Sequence, residues 1–374
     1  MTGAADLASR LTGDGLLVVK IGSSLLIDES GRLREAWMGR LVEHLARRPG
    51  PVVLVSSGAI ALGRGALGLD ARPRLLAQAQ AAAAVGQIHL AAAWSSCWRA
   101  QGRDSAQILL TLGDLEQRRR YLNARATLET LVERRIVPVV NENDTVATEE
   151  IRFGDNDRLA ARVAQLLGAE ALLLLSDVDG LYTADPGSHA NARHIERVEQ
   201  ITPEIEAMAG QPGRRGVGTG GMASKLAAAR IASGAGVAVW LASGLSEDPI
   251  GELQNGARST CFPPSARPRA QRKQWLAGLQ APAGRLHLDE GAVAALQGGA
   301  SLLAVGVRAV EGEFDRGDLV QLLGPRGPVG QGLCAYSADE ARRIAGCQSD
   351  RIDEVLGEAG RGAMVHRDDI ALSF

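Results

Sequence analysis

Lysine is almost absent from this chain. Of its 41 basic residues only Lys20, Lys225 and Lys273 are lysines; the other 38 are arginines. The formal net charge is −2, so no basic excess marks a dedicated nucleic-acid or membrane binder. Cysteine is sparse too. Cys97, Cys261, Cys334 and Cys347 are scattered without CxxC spacing, which excludes a disulfide framework or thiolate metal site and reads as reduced, cytosolic thiols. The six histidines fall in no metal-ligand pattern. No apolar run approaches the ~20 residues that span a bilayer. The opening stretch MTGAADLASRLTGDG lacks the positive start and apolar core of a secretion signal. These absences point to a cytoplasmic globular protein with no metal ligands of its own.

At 374 residues the chain is long enough for about two domains. From residue 16 to about 260, short apolar runs alternate with longer alanine-rich segments. LLVVKI (16–21), PVVLVS (51–56), SAQILL (105–110), IVPVV (136–140), ALLLLS (171–176) and GVAVWLA (236–242) suit strands buried on both faces of a largely parallel sheet. Residues 34–48, 73–102, 121–135, 157–168 and 222–234 read as the intervening helices, and 1–15 as a short tail. Such alternation predicts an α/β domain, a three-layer αβα sandwich with ligands beyond the carboxyl ends of the strands. After Phe262 the composition shifts to Pro, Arg and small residues, then to short glycine-punctuated strands, the pattern of a small β-barrel. The predicted boundaries are a first domain over 1–262, a linker over 263–282 and a second domain over 283–374.

Lys20 ends a buried run and precedes Gly22, Ser23 and Ser24. A glycine turn exposes backbone N–H groups to an anion, and a lysine beside it adds a mobile point charge suited to phosphate. A lysine merely snorkelling at a strand end is the plain alternative. GRRGVGTGGMASKLAAAR (213–230) runs through Gly216, Gly218, Gly220 and Gly221 into a helix with Lys225 in its first turn. Glycine loop, helix dipole and lysine together again suit phosphate, whereas a surface loop and capped helix would need none of them to act. The segment is neither a Walker A motif nor a dinucleotide fingerprint. VSSGAIALG (55–63) sets Ser56, Ser57 and Gly58 at a strand end. NENDT (141–145) and GDND (154–157) offer carboxylates and amides that can hold an ammonium group. Of Asp155, Asn156 and Asp157, one is expected to cap the following helix and another to face ligand. SDVDGLYTADP (176–186) is an acidic turn that either bounds a nucleotide or is only a turn.

Together and in this order these motifs resemble the amino-acid kinase family over residues 16 to about 260. SSGAIALG, NENDTVAT, FGDND and GTGGMASK are similar to its glutamate 5-kinase branch, and FDRGDLV (314–320) resembles the PUA domain that many bacterial members carry. The resemblance implies the amino-acid kinase fold with a PUA barrel. It also implies ATP-dependent phosphorylation of the side-chain carboxylate of L-glutamate with Mg²⁺ held through the ATP phosphates, the first step of proline biosynthesis. Carried over residue by residue, Lys20 and Lys225 contact ATP phosphates, Gly22 and Gly58 lie near the transferred phosphoryl group, and Asp157 positions the lysines. Ser57, Asp144 and Asn156 bind glutamate. Ser176, Asp177 and the run Thr219, Gly220, Gly221, Met222, Ala223, Ser224 and Lys225 hold nucleotide. Ser176 stands where threonine often occurs, and Ala223 where serine often does. The family further implies a homo-oligomer, dimer or tetramer, and L-proline as feedback inhibitor. Within the family, kinases of N-acetylglutamate or aspartate are the alternatives, and NENDT favours a free α-amino group. An RNA-binding PUA protein is a third reading, disfavoured because residues from 263 onward carry 13 Lys and Arg against 14 Asp and Glu.

Overall fold

The computed structural model describes residues 3–28, 30–69, 73, 75–146, 156–209, 221–265, 282–357 and 362–372. The chain divides into two compact units, one comprising Met1–Leu115 with Ala124–Ala266 and the other Glu116–Asn123 with Arg267–Phe374.

The first unit is built on strands β1 (Leu17–Ile21), β2 (Val52–Ser56), β3 (Ser105–Leu110), β4 (Val137–Glu142), β5 (Ala171–Ser176), β8 (Ala238–Ser243) and β9 (Ser259–Phe262). A separate two-residue ladder pairs β6 (Leu181–Tyr182) with β7 (His194–Ile195). The main sheet has the order β3-β4-β2-β1-β5-β8-β9. Every ladder is parallel except β8 with β9. From β1 the chain goes first to β2 on one side and later to β5 on the other. The carboxyl end of β1 therefore lies at a switch point of the topology, where open α/β sheets place their ligands.

Helices cover both faces. Leu17, Val19 and Ile21 share a core with Leu7 and Leu11 of α1 (Gly3–Thr12), Trp37 and Leu41 of α2 (Glu35–Ala46), and Trp94 and Trp98 of a long helix, Leu76–Ala100. The intervening residues Val18 and Lys20 project to the opposite face by strand alternation. On that face Lys20 meets the helix Asn156–Leu167. The αβα arrangement is thus the expected one, with three local differences. Residues 3–12 are not a loose tail, because Leu7 and Leu11 recur at helical spacing and are buried. The run SAQILL is not buried on both faces: β3 is an edge strand, and Gln107 and Leu109 are exposed. Strand β9 was not legible as a strand because its four residues sit against the composition shift that follows them.

The second unit carries β10 (Gly284–Leu288), β11 (Val307–Gly312), β12 (Leu319–Gly324), β13 (Gly327–Leu333) and β14 (Ile370–Leu372), in the order β11-β10-β12-β13-β14. Only the β10–β12 ladder is parallel. Leu286, Leu322, Tyr336, Ile344 and Met364 lie in its own core. Pro325 and Arg326 turn the β12–β13 hairpin between Gly324 and Gly327, which face each other in register. Most of the expected linker, residues 266–281, lies outside the described residues.

Candidate active site

The centre of the site is an ion triad assembled from three elements. The helices that build it are α3 (Ala59–Gly63), α4 (Leu76–Ala100), α5 (Asn156–Leu167) and α6 (Met222–Gly234). Lys20 comes from β1, Asp157 from the first turn of α5, and Lys225 from the first turn of α6. Lys20 Nζ lies 2.6 Å from Asp157 Oδ1, an ion pair rather than an aligned hydrogen bond. Lys225 Nζ donates to Asp157 Oδ2 across 3.3 Å. Relative exposures of 6%, 1% and 5% for Lys20, Asp157 and Lys225 put all three below the surface. Burial opposes charge on Asp157, but the ammoniums of Lys20 and Lys225 outweigh it and hold the carboxyl below its usual range. Two lysines 205 positions apart thus converge on one carboxylate, leaving a net positive centre. Two helix N-termini face the same place and reinforce that sign.

The glycines frame this centre differently from each other. The Gly22 N–H donates to Leu175 O at 3.3 Å, so it is committed to the sheet next to Ser176. A Cβ at position 22 would meet Lys20 Nζ at 3.9 Å, an ordinary van der Waals distance, so Gly22 lies beside the ammonium without crowding demanding a glycine there. Gly58 has φ +105, a left-handed conformation that starts α3 and that side-chain-bearing residues rarely adopt.

The residues expected at the amino acid group cluster on the neighbouring strand ends. Asn156 Nδ2 donates to Ser57 Oγ at 3.0 Å, joining α5 to the end of β2. Asn156 Oδ1 is buried with no hydrogen-bond partner among the described residues. Asp144 is buried just beyond β4, and burial pushes its carboxyl up to about 6. Neither Asn156 nor Asp157 caps α5; both side chains face inward to partners, and Asp155 lies outside the described residues. Ser176 ends β5 and its Oγ donates to Asp177 Oδ1 at 2.9 Å. Gly221, Met222, Ala223 and Ser224 open α6 above Lys225, while Thr219 and Gly220 lie outside the described residues. Asp179 accepts from Tyr182 Oη of its own turn at 2.9 Å and from Arg258 Nη1, just ahead of β9, at 3.3 Å. The Asp179 carboxylate is therefore engaged by protein partners, and Ser176 and Asp177 are the residues of this segment at the strand end.

A support not read from the sequence stands behind these loops. On α4, Gln87 Oε1 accepts from Asn141 Nδ2 at 2.5 Å, and Trp94 Nε1 donates to Ser56 Oγ at 2.9 Å. Gly63 and Gly86 let α3 and α4 touch backbone to backbone; a Cβ on Gly86 would overlap Ala59 O, and one on Gly63 would overlap Ala82 O. The available signal was Gly86 itself, an isolated glycine in an alanine-rich helix, where a packing reason is the usual one.

The description "Amino acid kinase family" fits residues 15–243, more than half of the chain, and "PUA domain" fits residues 284–356. The chain belongs to the amino acid kinase family. Among curated relatives, a glutamate 5-kinase of Rhizobium etli is 53% identical over 361 residues, covering 96% of this chain and 92% of the relative. A glutamate 5-kinase of a Ruegeria species is 54% identical, covering 95% and 98%. At that identity and coverage the kinase is a member of the glutamate 5-kinase group, with the PUA domain as its C-terminal part. No helix among the described residues is long and apolar enough to cross a membrane.

Proposed function

We propose that this kinase transfers the terminal phosphoryl group of ATP to the side-chain carboxylate of L-glutamate, giving L-glutamyl 5-phosphate and ADP, the step that opens proline biosynthesis. The observation that carries the reading is the convergence of Lys20 and Lys225 on buried Asp157 at the carboxyl edge of the sheet. The names of relatives matched over nearly their whole length supply the substrate.

A free glutamate side chain ionises at about pH 4.3, so it is already an anionic nucleophile at neutral pH and no general base is needed. One carboxylate oxygen forms the new bond to phosphorus while the bond from phosphorus to the bridging oxygen breaks and ADP departs with that electron pair. The obstacle is repulsion between two anions. Lys20 and Lys225 supply fixed positive charge in a poorly solvated place, where it acts most strongly. Asp157 holds both amines at one point without neutralising both. Mg²⁺ held through the ATP phosphates would shield part of their charge, and the two lysines would act on the remainder. Ser57, Asn156 and Asp144 hold the amino acid, with Asp144 facing its α-ammonium; Ser176, Asp177 and the segment 219–225 hold the nucleotide. The kinase domain is assigned to residues 1–262, a linker to 263–282 and the PUA domain to 283–374. A cytoplasmic homo-oligomer inhibited by L-proline completes the reading.

The direct test incubates purified protein with ATP, Mg²⁺ and hydroxylamine, trapping the acyl phosphate as a hydroxamate. Product with glutamate, and little with N-acetylglutamate or aspartate, is expected; preference for either alternative would overturn the substrate assignment. Asp144→Asn is expected to raise the glutamate KM at least about tenfold while the ATP KM stays within about twofold. In the wild type the same carboxyl, lifted to about 6 by burial, binds a proton as the pH drops and then no longer attracts an ammonium. The glutamate KM should therefore climb below pH 6, and Asp144→Asn should flatten that climb. A pH profile of KM unchanged by the substitution would remove Asp144 from the substrate.

A further inference from the structure

Both loops assigned to the amino acid leave the sheet beside α4, and α4 holds each of them. At the end of β2, Trp94 Nε1 donates to Ser56 Oγ at 2.9 Å, one residue before Ser57. Just past Gly58, α3 is pressed onto α4 at the Gly63–Gly86 contact, which leaves no room for a single Cβ. At the end of β4, Gln87 Oε1 accepts from Asn141 Nδ2 at 2.5 Å. Asn141 is itself buried and its Oδ1 accepts from the Glu142 N–H at 2.9 Å, so both ends of that amide are held. The next turn is pinned by the Asn143 N–H donating to Leu110 O at 3.0 Å, and Asp144 follows directly. Gln87 adjoins Gly86, the point where α4 is least able to shift. Its carbonyl is thus a fixed reference against which the chain segment leading to Asp144 is placed.

We infer that Gln87 is a positioning residue for the amino acid substrate, setting, through Asn141, the place of Asp144 relative to Ser57. It rests on the assignment of Ser57 and Asp144 to glutamate. A residue that only stabilised the fold would affect glutamate and ATP alike when removed. A residue that sets one loop should disturb glutamate alone, because the triad of Lys20, Asp157 and Lys225 comes from β1, α5 and α6, whereas the side chain of Gln87 is hydrogen-bonded to Asn141 on β4.

The test uses the full-length protein with Q87L, which removes the acceptor, Q87E, which keeps an acceptor for Asn141, and D144N as reference. Q87L is expected to raise the glutamate KM about tenfold with the ATP KM within about twofold, the scale of one lost buried hydrogen bond. Q87E should return the glutamate KM to within about threefold of wild type. If Q87L does not fold, Q87N, one methylene too short to reach Asn141, is expected to give the same selective rise. An unchanged glutamate KM, an equal rise in both KM values, or Q87E no better than Q87L would overturn the inference. If D144N raises the glutamate KM while Q87L does not, only the role of Gln87 falls. If D144N has no effect, the substrate assignment beneath it falls as well.

Discussion

Lys20→Arg is expected to yield a folded protein whose kcat is at least about a hundredfold lower, with the glutamate KM little changed. The charge is conserved, so the loss must come from shape. Lys20 Nζ sits 2.6 Å from Asp157 Oδ1 in a buried space shared with Lys225. A guanidinium there presents a planar fork that matches a carboxylate edge-on and would engage both Asp157 oxygens. That displaces Lys225 and ties up the donors meant for phosphoryl oxygens. A compact ammonium can instead follow those oxygens as they shift during transfer. This is a reason for a chain of 38 arginines to keep lysine at this position. Steady-state kinetics with a thermal melt checks it, and near-normal turnover would remove Lys20 from the mechanism.

Asp157→Ala should have an equally large effect on a different observable. The substitution leaves two buried ammoniums facing each other without a counter-charge, the circumstance in which breaking a buried ion pair costs about 3–5 kcal/mol. In the wild type, Asp157 is held below its usual pKa despite burial, by Lys20 and Lys225. Its contribution is therefore complete above the unfolded carboxylate value near 4 and is lost as the pH falls through the lower folded value. In the variant the dependence keeps that direction but moves from the acid to the alkaline range. The unpaired lysines release protons more readily when folded than when unfolded, so stability should rise with pH toward 10. ATP should also raise the variant's melting temperature more than that of the wild type, because phosphate supplies the missing negative charge. A melting temperature within about 2 °C of wild type at neutral pH would show that the triad is not the electrostatic keystone described.

How much of this was legible in the sequence follows from the range of the forces involved. Continuous apolar runs report burial directly, and so β1, β2, β4, β5 and β8 were found nearly to the residue. Rarity made Lys20 and Lys225 conspicuous, and their glycine-rich surroundings supplied the chemistry. Their meeting at Asp157 was not derivable from spacing, because it depends on two helix first turns being set beside one strand end by the sheet order. Edge strand β3 misled because apolar content says nothing of a strand's place in the sheet. Gln87 and Trp94 were invisible for a related reason: each is a polar tip on an alanine-rich helix whose partners, Asn141 and Ser56, lie 54 and 38 positions away. Asn156 was expected at substrate and stands hydrogen-bonded to Ser57, another residue expected there. Asp144 was assigned to glutamate by resemblance, within a motif noted for its carboxylates and amides, and the structure adds the burial that pushes its carboxyl up to about 6.

The measurement that bears most directly on the lysine pair is a structure of the full chain with glutamate, Mg²⁺ and a non-hydrolysable ATP analogue. Catalytic lysines require the Nζ atoms of Lys20 and Lys225 both to lie at about 3 Å from oxygens of the nucleotide's terminal phosphates, with Asp157 still between them. Density placing those phosphates away from either amine, with the lysines closed on Asp157 alone, would make the triad a structural ion cluster and contradict the mechanism.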